Sequence, residues 1–304
     1  MNLKKIIRVA IPVVLVSGIV FCGWQVANKL RDYNISDTYY EKAQESAILQ
    51  ENEEIEPVDD IPVVEGAMQI DWESQKGLNA VAWVQLDNIS YPVYHDDGSQ
   101  WYLKHLPDGT YASAGSIFLY GENSADFTDQ SSFIYGHNMG NKTMFGGLKD
   151  YAYDEYKDHQ FYLYLPDGTR HTYKFFAVAS VYQSSQAYTW SFADEESFLN
   201  WQQWMKDNAI VQGTAPIDAS KRFVTLSTCN GTVGTTRRLV ICGQEVAVER
   251  TQNPASWYDE LKAKIDAQKQ ASTEVAYQRQ ADLSEIYTTT QDALMKSRRN
   301  QEGE

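Results

Sequence analysis

The sequence predicts a mostly β domain, a barrel or a sandwich, interrupted by one long helical insertion. Short apolar and β-branched runs, set off by turn residues, recur between positions 78 and 248. A single stretch, 195–210 (EESFLNWQQWMKDNAI), breaks that rhythm with Phe198, Leu199, Trp201, Trp204 and Met205 at helical spacing. With 304 residues and 43% hydrophobic content, the chain can bury one full core and still carry flanking segments.

The first flanking segment opens the chain. Lys4, Lys5 and Arg8 precede a mostly apolar run over 9–27, closed by Lys29 and Arg31. A charge-free run of that length predicts a transmembrane helix, with the basic residues holding the N-terminus in the cytoplasm. A cleaved signal peptide is the alternative, although no small-x-small pattern closes the run. The expected layout is a cytoplasmic tip and signal-anchor over 1–31, then an extracytoplasmic stalk with N-terminal helices over 32–77. Within that stalk, 39–54 (YYEKAQESAILQENEE) reads as a helix, and the acidic residues of 51–60, with Pro57 and Pro62, read as a loose connector.

The β domain is expected over 78–249. Runs 80–86 (AVAWVQL) and 89–94 (ISYPVY) flank the turn pair Asp87-Asn88, and Pro92 suggests an edge or a strand end. Runs 116–120 (SIFLY) and 132–135 (SFIY) are two further strands. Strands at 160–165 and 172–181 flank Pro166-Asp167-Gly168 and read as a hairpin. Ala193-Asp194 and the glutamates after it suit a helix start, so the aromatic stripe beyond faces a core. Strand RFVTLSTC (222–229) follows, and 238–242 with 244–248 closes the domain. The tail, 250–304, is polar, helical and only partly packed. Its apolar positions Leu261, Ile265, Leu283, Ile286 and Leu294 sustain no heptad.

Charge and cysteine usage narrow the function. With 26 basic residues against 41 acidic, the formal net charge is −15, which argues against a nucleic-acid binder. Of the three cysteines, Cys22 lies in the apolar N-terminal run, leaving Cys229–Cys242 as the one disulfide the soluble part could form. Cys229 ends a strand just before the turn pair Asn230-Gly231, held by a rigid element yet open to a substrate. Cys242 lies inside the last strand and reads as a packed sulfur.

A cysteine nucleophile needs a route to the thiolate and an imidazole that exchanges protons. His137 follows a strand directly and is succeeded by a Gly-rich stretch, the same rigid-base, open-front layout as Cys229. His105, His159 and His171 read as surface residues in turns or hairpin arms, and His95 also runs into a turn. Arg237 and Arg238 open the last strand, within hairpin reach of Cys229. Either could hold a developing oxyanion, but only one of two strand neighbours can face the site.

TLSTC at 225–229, TTRRLVI at 235–241 and IYGHNM at 134–139 together resemble the class B sortases. YPV at 91–93, GSIFL at 115–119, MFGGL at 144–148 and the helix ahead of the cysteine strand match that family too. The resemblance implies a sortase-like closed β-barrel of about eight strands and a cysteine transpeptidase at the outer face of a Gram-positive-type membrane. It maps the nucleophile onto Cys229, the histidine onto His137 and the arginine onto Arg238, which immediately precedes the apolar run. It places Ser227, Thr228, Tyr188 and Asn138 along the peptide groove. It implies no cofactor and no metal. The implied partners are surface proteins with an NPxT-type or related sorting motif and a cell-wall peptide amine, with the N-terminal helix holding the enzyme to the membrane. A cysteine hydrolase using water as acceptor, a pilin-polymerising sortase and a non-catalytic surface module are the rival readings. The resemblance does not explain the tail.

Overall fold

Alternating β-branched and aromatic residues lay out nine strands in the computed structural model, which describes residues 3–49, 54–56, 59–231 and 235–271. They are β1 (Ala80–Leu86), β2 (Ile89–His95), β3 (Phe118–Leu119), β4 (Ser131–Tyr135), β5 (Gln160–Tyr164), β6 (Thr169–Tyr182), β7 (Val211–Gln212), β8 (Phe223–Cys229) and β9 (Arg237–Arg250). Neighbours run in the order β5-β1-β2-β3-β4-β8-β9-β6, and β6 pairs back onto β5. Eight strands thus close a barrel, as expected, while β7 hangs on β6 as a short ninth. Pro92 lies within β2, where its missing N–H costs nothing. Only Tyr94 and His95 of that strand pair with β3, so the second edge at Pro92 is unpaired.

The helical insertion is α2 (Glu195–Asp207). Asp194 caps it by accepting from the Ser197 amide at 2.7 Å, and the Ser197 hydroxyl returns a bond to the Asp194 backbone. The aromatic stripe does face a core: Phe198, Trp201 and Met205 are buried against Phe176, Phe223, Val240 and Cys242. Each such side chain contributes about 1.5–3 kcal/mol by leaving water.

Several expectations are corrected N-terminal to the barrel. The helix α1 runs unbroken over Leu3–Ala47, so the helix expected at 39–54 is only its end. Among the described residues no helix is long and apolar enough to cross a membrane. The expected single-pass anchor over 9–27, and with it the membrane location and the membrane as partner, is therefore not upheld. The second half of α1 is polar. That half docks on the barrel: the Tyr40 hydroxyl donates to the Gly115 carbonyl at 3.2 Å, and the Gln44 amide to the Ser90 carbonyl at 2.6 Å.

The acidic connector is not loose where it is described. Arg250 N–H donates to Pro62, Val64 N–H to Arg250, and the Arg250 guanidinium reaches Asp59 at 2.8 Å. Gln252 exchanges two hydrogen bonds with the Ile70 backbone, replacing a stretch of β ladder. The chain divides into two compact units, Met1–Ser256 and Trp257–Glu304. The second unit is helical over 258–271, and the expectations for Leu283, Ile286 and Leu294 lie outside the described residues.

Candidate active site

Antiparallel pairing sets β8 against β9 with Phe223 opposite Gln244, Thr225 opposite Cys242, Ser227 opposite Val240 and Cys229 opposite Arg238. Side chains alternate along a strand, so these pairs share one face of the barrel wall. Helix α2 covers that face at the Phe223–Cys242 end. At the other end Ser227, Cys229 and Arg238 line a cleft of about 470 Å³. Both thiols are free. Four residues along the strand separate their rows by about 13 Å, too far for a disulfide, so the Cys229–Cys242 bridge is excluded.

The histidine arrives from the neighbouring strand. β4 runs parallel to β8 with Tyr135 opposite Ser227. Gly136 N–H continues the ladder to the Ser227 carbonyl at 3.1 Å, which carries His137 to the level of Cys229. Two side chains fasten this turn: the Asn138 amide donates to the Cys229 carbonyl and the Thr228 hydroxyl to the Gly136 carbonyl, both at 2.8 Å. His137 lines the same cleft, and its Nε2–H donates to the Leu103 carbonyl at 2.7 Å.

The two arginines part company. Arg238, opposite Cys229, is held by the Thr235 carbonyl at 2.6 Å and the Gln183 side-chain oxygen at 2.8 Å. Arg237 points the other way, donating to the Ser180 carbonyl at 3.1 Å with its guanidinium 4.3 Å above the Tyr182 ring. Alternation therefore brings Arg238, and not its neighbour, to the cysteine.

Aromatic rings form one part of the remaining wall, and Asp96, Gln100 and Leu103 line another. Tyr188 stacks on Tyr135, with centroids 6.2 Å apart, and its hydroxyl lies 2.7 Å from Ser227 Oγ. Burial pushes the Tyr188 hydroxyl above its ordinary pKa, against the Ser227 hydrogen bond and the positive charge of Arg238. Tyr135 is raised by burial as well. Both phenols stay neutral at working pH and offer hydrogen bonds, not charge. Burial likewise pushes Cys242 up to about 12. Among the described residues no three or more His, Cys, Asp or Glu side chains converge as metal ligands would.

Of the residues expected in the groove, Ser227, Thr228 and Tyr188 line the cleft and Asn138 does not, while the polar groups of Thr228 and Asn138 fasten the His137 turn. His171, expected at the surface, is buried, with Nδ1 2.7 Å from Glu245. Sequence reasoning missed Gln183, Trp190 and Tyr120, which also line the cleft. The aromatic density of the segment before α2 could have flagged Trp190. The Leu103 carbonyl is a backbone group and has no residue signature.

Comparison with known proteins fits this geometry. A family model described as a sortase domain matches residues 84–246. Sortase B of Listeria monocytogenes is 25% identical over 236 residues, covering 76% of this chain and 92% of that protein. Sortase B of Staphylococcus aureus is 24% identical over 263 residues, covering 82% of this chain and all of that protein, 100%. Among solved structures, sortase B from B. anthracis in complex with AAEK1 superposes with a TM-score of 0.58 at 19% identity, covering 72% of this chain and 99% of that one. The Staphylococcus aureus sortase B–substrate complex gives 0.53 at 22%, covering 58% and 84%.

Proposed function

From the premise that this chain belongs to the sortase family of cysteine transpeptidases, we propose that it acts as a class B member. Its substrate is a protein with a C-terminal sorting motif of NPxT or related type, which it transfers to the amine of a cell-wall peptide. The observation that carries the reading is the row formed by His137, Cys229 and Arg238 at the uncovered end of the β4–β8–β9 wall.

In the first half-reaction the Cys229 thiolate attacks the carbonyl that follows the motif threonine. The Arg238 guanidinium and a backbone amide hold the oxyanion of the tetrahedral intermediate. The carbon–nitrogen bond breaks as protonated His137 gives its proton to the leaving amine, leaving a thioester on Cys229. The acceptor amine then attacks the thioester, His137 takes a proton from it, and the thiolate leaves. Splitting one amide exchange into two acyl transfers lowers each barrier. Ser227 and Tyr188, joined beside the thiol, hold the motif peptide. The test is the Cys229→Ala variant assayed for sorting-peptide cleavage and thioester capture. Loss of both is expected, and undiminished turnover would overturn the assignment. Formation of a ligated product with an added amine separates transpeptidation from hydrolysis.

A further inference from the structure

We propose that segment 96–103 is the element that orients the imidazole. The Leu103 carbonyl holds His137 as its Nε2–H tautomer, so Nδ1 is the nitrogen that exchanges protons with substrate, and Asp96 is the positioning residue that sets the segment. This rests on the reading of His137 as the acid and base of the transfer, and it adds which nitrogen works and what fixes it.

The chemistry of the contact is unambiguous in one respect. A carbonyl only accepts, so a ring nitrogen 2.7 Å from it must carry hydrogen. Neutral His137 then has a bare Nδ1. In the imidazolium both nitrogens are protonated, and the proton shared with Leu103 is the one retained. The transferable proton sits on Nδ1, so the leaving amine takes it from there and the acceptor amine returns one to the same atom.

Independent features hold that carbonyl still. Gly115, at φ +54°, packs so closely that a Cβ there would lie 2.6 Å from the Leu103 oxygen and 2.3 Å from that of Tyr102. Ser116 N–H donates to the Tyr102 carbonyl at 2.7 Å. Upstream, Asp96 Oδ2 accepts from the amides of Gly98 at 2.9 Å and Gln100 at 3.0 Å, which fixes the turn that launches the segment. Gln100 takes up a left-handed conformation, φ 60°, that a non-glycine side chain disfavours. Asp96 itself is 4% exposed, and its Oδ1 has no hydrogen-bond partner among the described residues. A buried carboxyl oxygen without a partner and a left-handed non-glycine residue each cost stability. Both features lie on the element whose far end touches the imidazole.

The test reads the tautomer directly. In the full chain labelled with 15N-histidine, long-range proton–nitrogen spectra of the neutral imidazole of His137 should show hydrogen on Nε2 and a bare Nδ1. The His137→Gln variant assigns the resonance. A wild-type His137 with its hydrogen on Nδ1 would overturn the proposal. In the Asp96→Ala variant, kcat should fall about ten-fold or more with KM changed less than about two-fold, and the two tautomers should mix. Asp96→Asn, which keeps an acceptor oxygen for both amides, should restore most of each. An Asp96→Ala enzyme with wild-type kcat and a single Nε2–H form would also overturn it. The spectrum needs no substrate, so it fails separately from the nucleophile assignment, which fails on an absent thioester.

Discussion

Cys242 and Cys229 lie on one face of one strand pair and meet opposite fates. At the Cys242 end, α2 seals the face with Phe198, Trp201 and Met205, and the thiol is fully buried. At the Cys229 end the same face opens into the cleft, and the thiol has a guanidinium opposite it and an imidazole one strand away. The contrast teaches that a strand pair supplies positions and the cover decides their chemistry. A sealed sulfur packs, with its ionisation pushed up to about 12, while an open one beside Arg238 is placed to react.

The sharpest break of the comparison is at the open end. Cys229→Ala should reduce peptide turnover to background, a loss on the order of 10⁴-fold or more, whereas Cys242→Ala should leave turnover within a few-fold, by steady-state assay of both. Arg238→Ala should lower kcat by about 10²–10³-fold, the size expected for one lost oxyanion donor. At the sealed end the loss is in stability: Phe198→Ala should cost about 3–5 kcal/mol in urea unfolding through the cavity it leaves.

A smaller effect concerns pH. The Cys242 thiol titrates near 9.0 when unfolded and near 12 when folded, so above about pH 9 the unfolded chain loses a proton that the folded chain keeps. Stability should therefore fall as pH rises through that window. The fall should be shallower in Cys242→Val, as measured by urea midpoints between pH 8 and about 11. The smallest effect is expected from Arg237→Ala, whose contacts lie on the far side of the wall. Its kcat should change by no more than about two-fold. Equal losses at the two arginines would break the face-alternation account.

Much of this contrast is readable from residues. The run AVAWVQL gives β1 to the residue, and the β-branched content of VTL with the turn after Cys229 gives β8. The Trp-rich stripe and Asp194 give α2 and its start. Strand β7 was missed because two residues, Val211 and Gln212, carry no period, and its pairing depends on β6. The N-terminal expectation was drawn from 9–27 alone, whereas α1 is one helix over Leu3–Ala47 and no helix among the described residues is long and apolar enough to cross a membrane. His171 was misplaced because a hairpin arm does not reveal that β9 brings Glu245 beside it. Within the site, Cys229, His137 and Arg238 stand out through strand-end context and motif. Leu103 and Gln183 do not, since a carbonyl and an uncharged amide acquire their parts only from the fold.

The central claim is that the open sulfur, and not the sealed one, carries the acyl group. It is tested most directly by incubating the full chain with an NPxT-type peptide, quenching in acid and mapping the acyl adduct by mass spectrometry. The expected result is a thioester on Cys229 that disappears when an amine acceptor is added. Cleavage of the peptide with no adduct on Cys229, or an adduct on Cys242, would contradict the account.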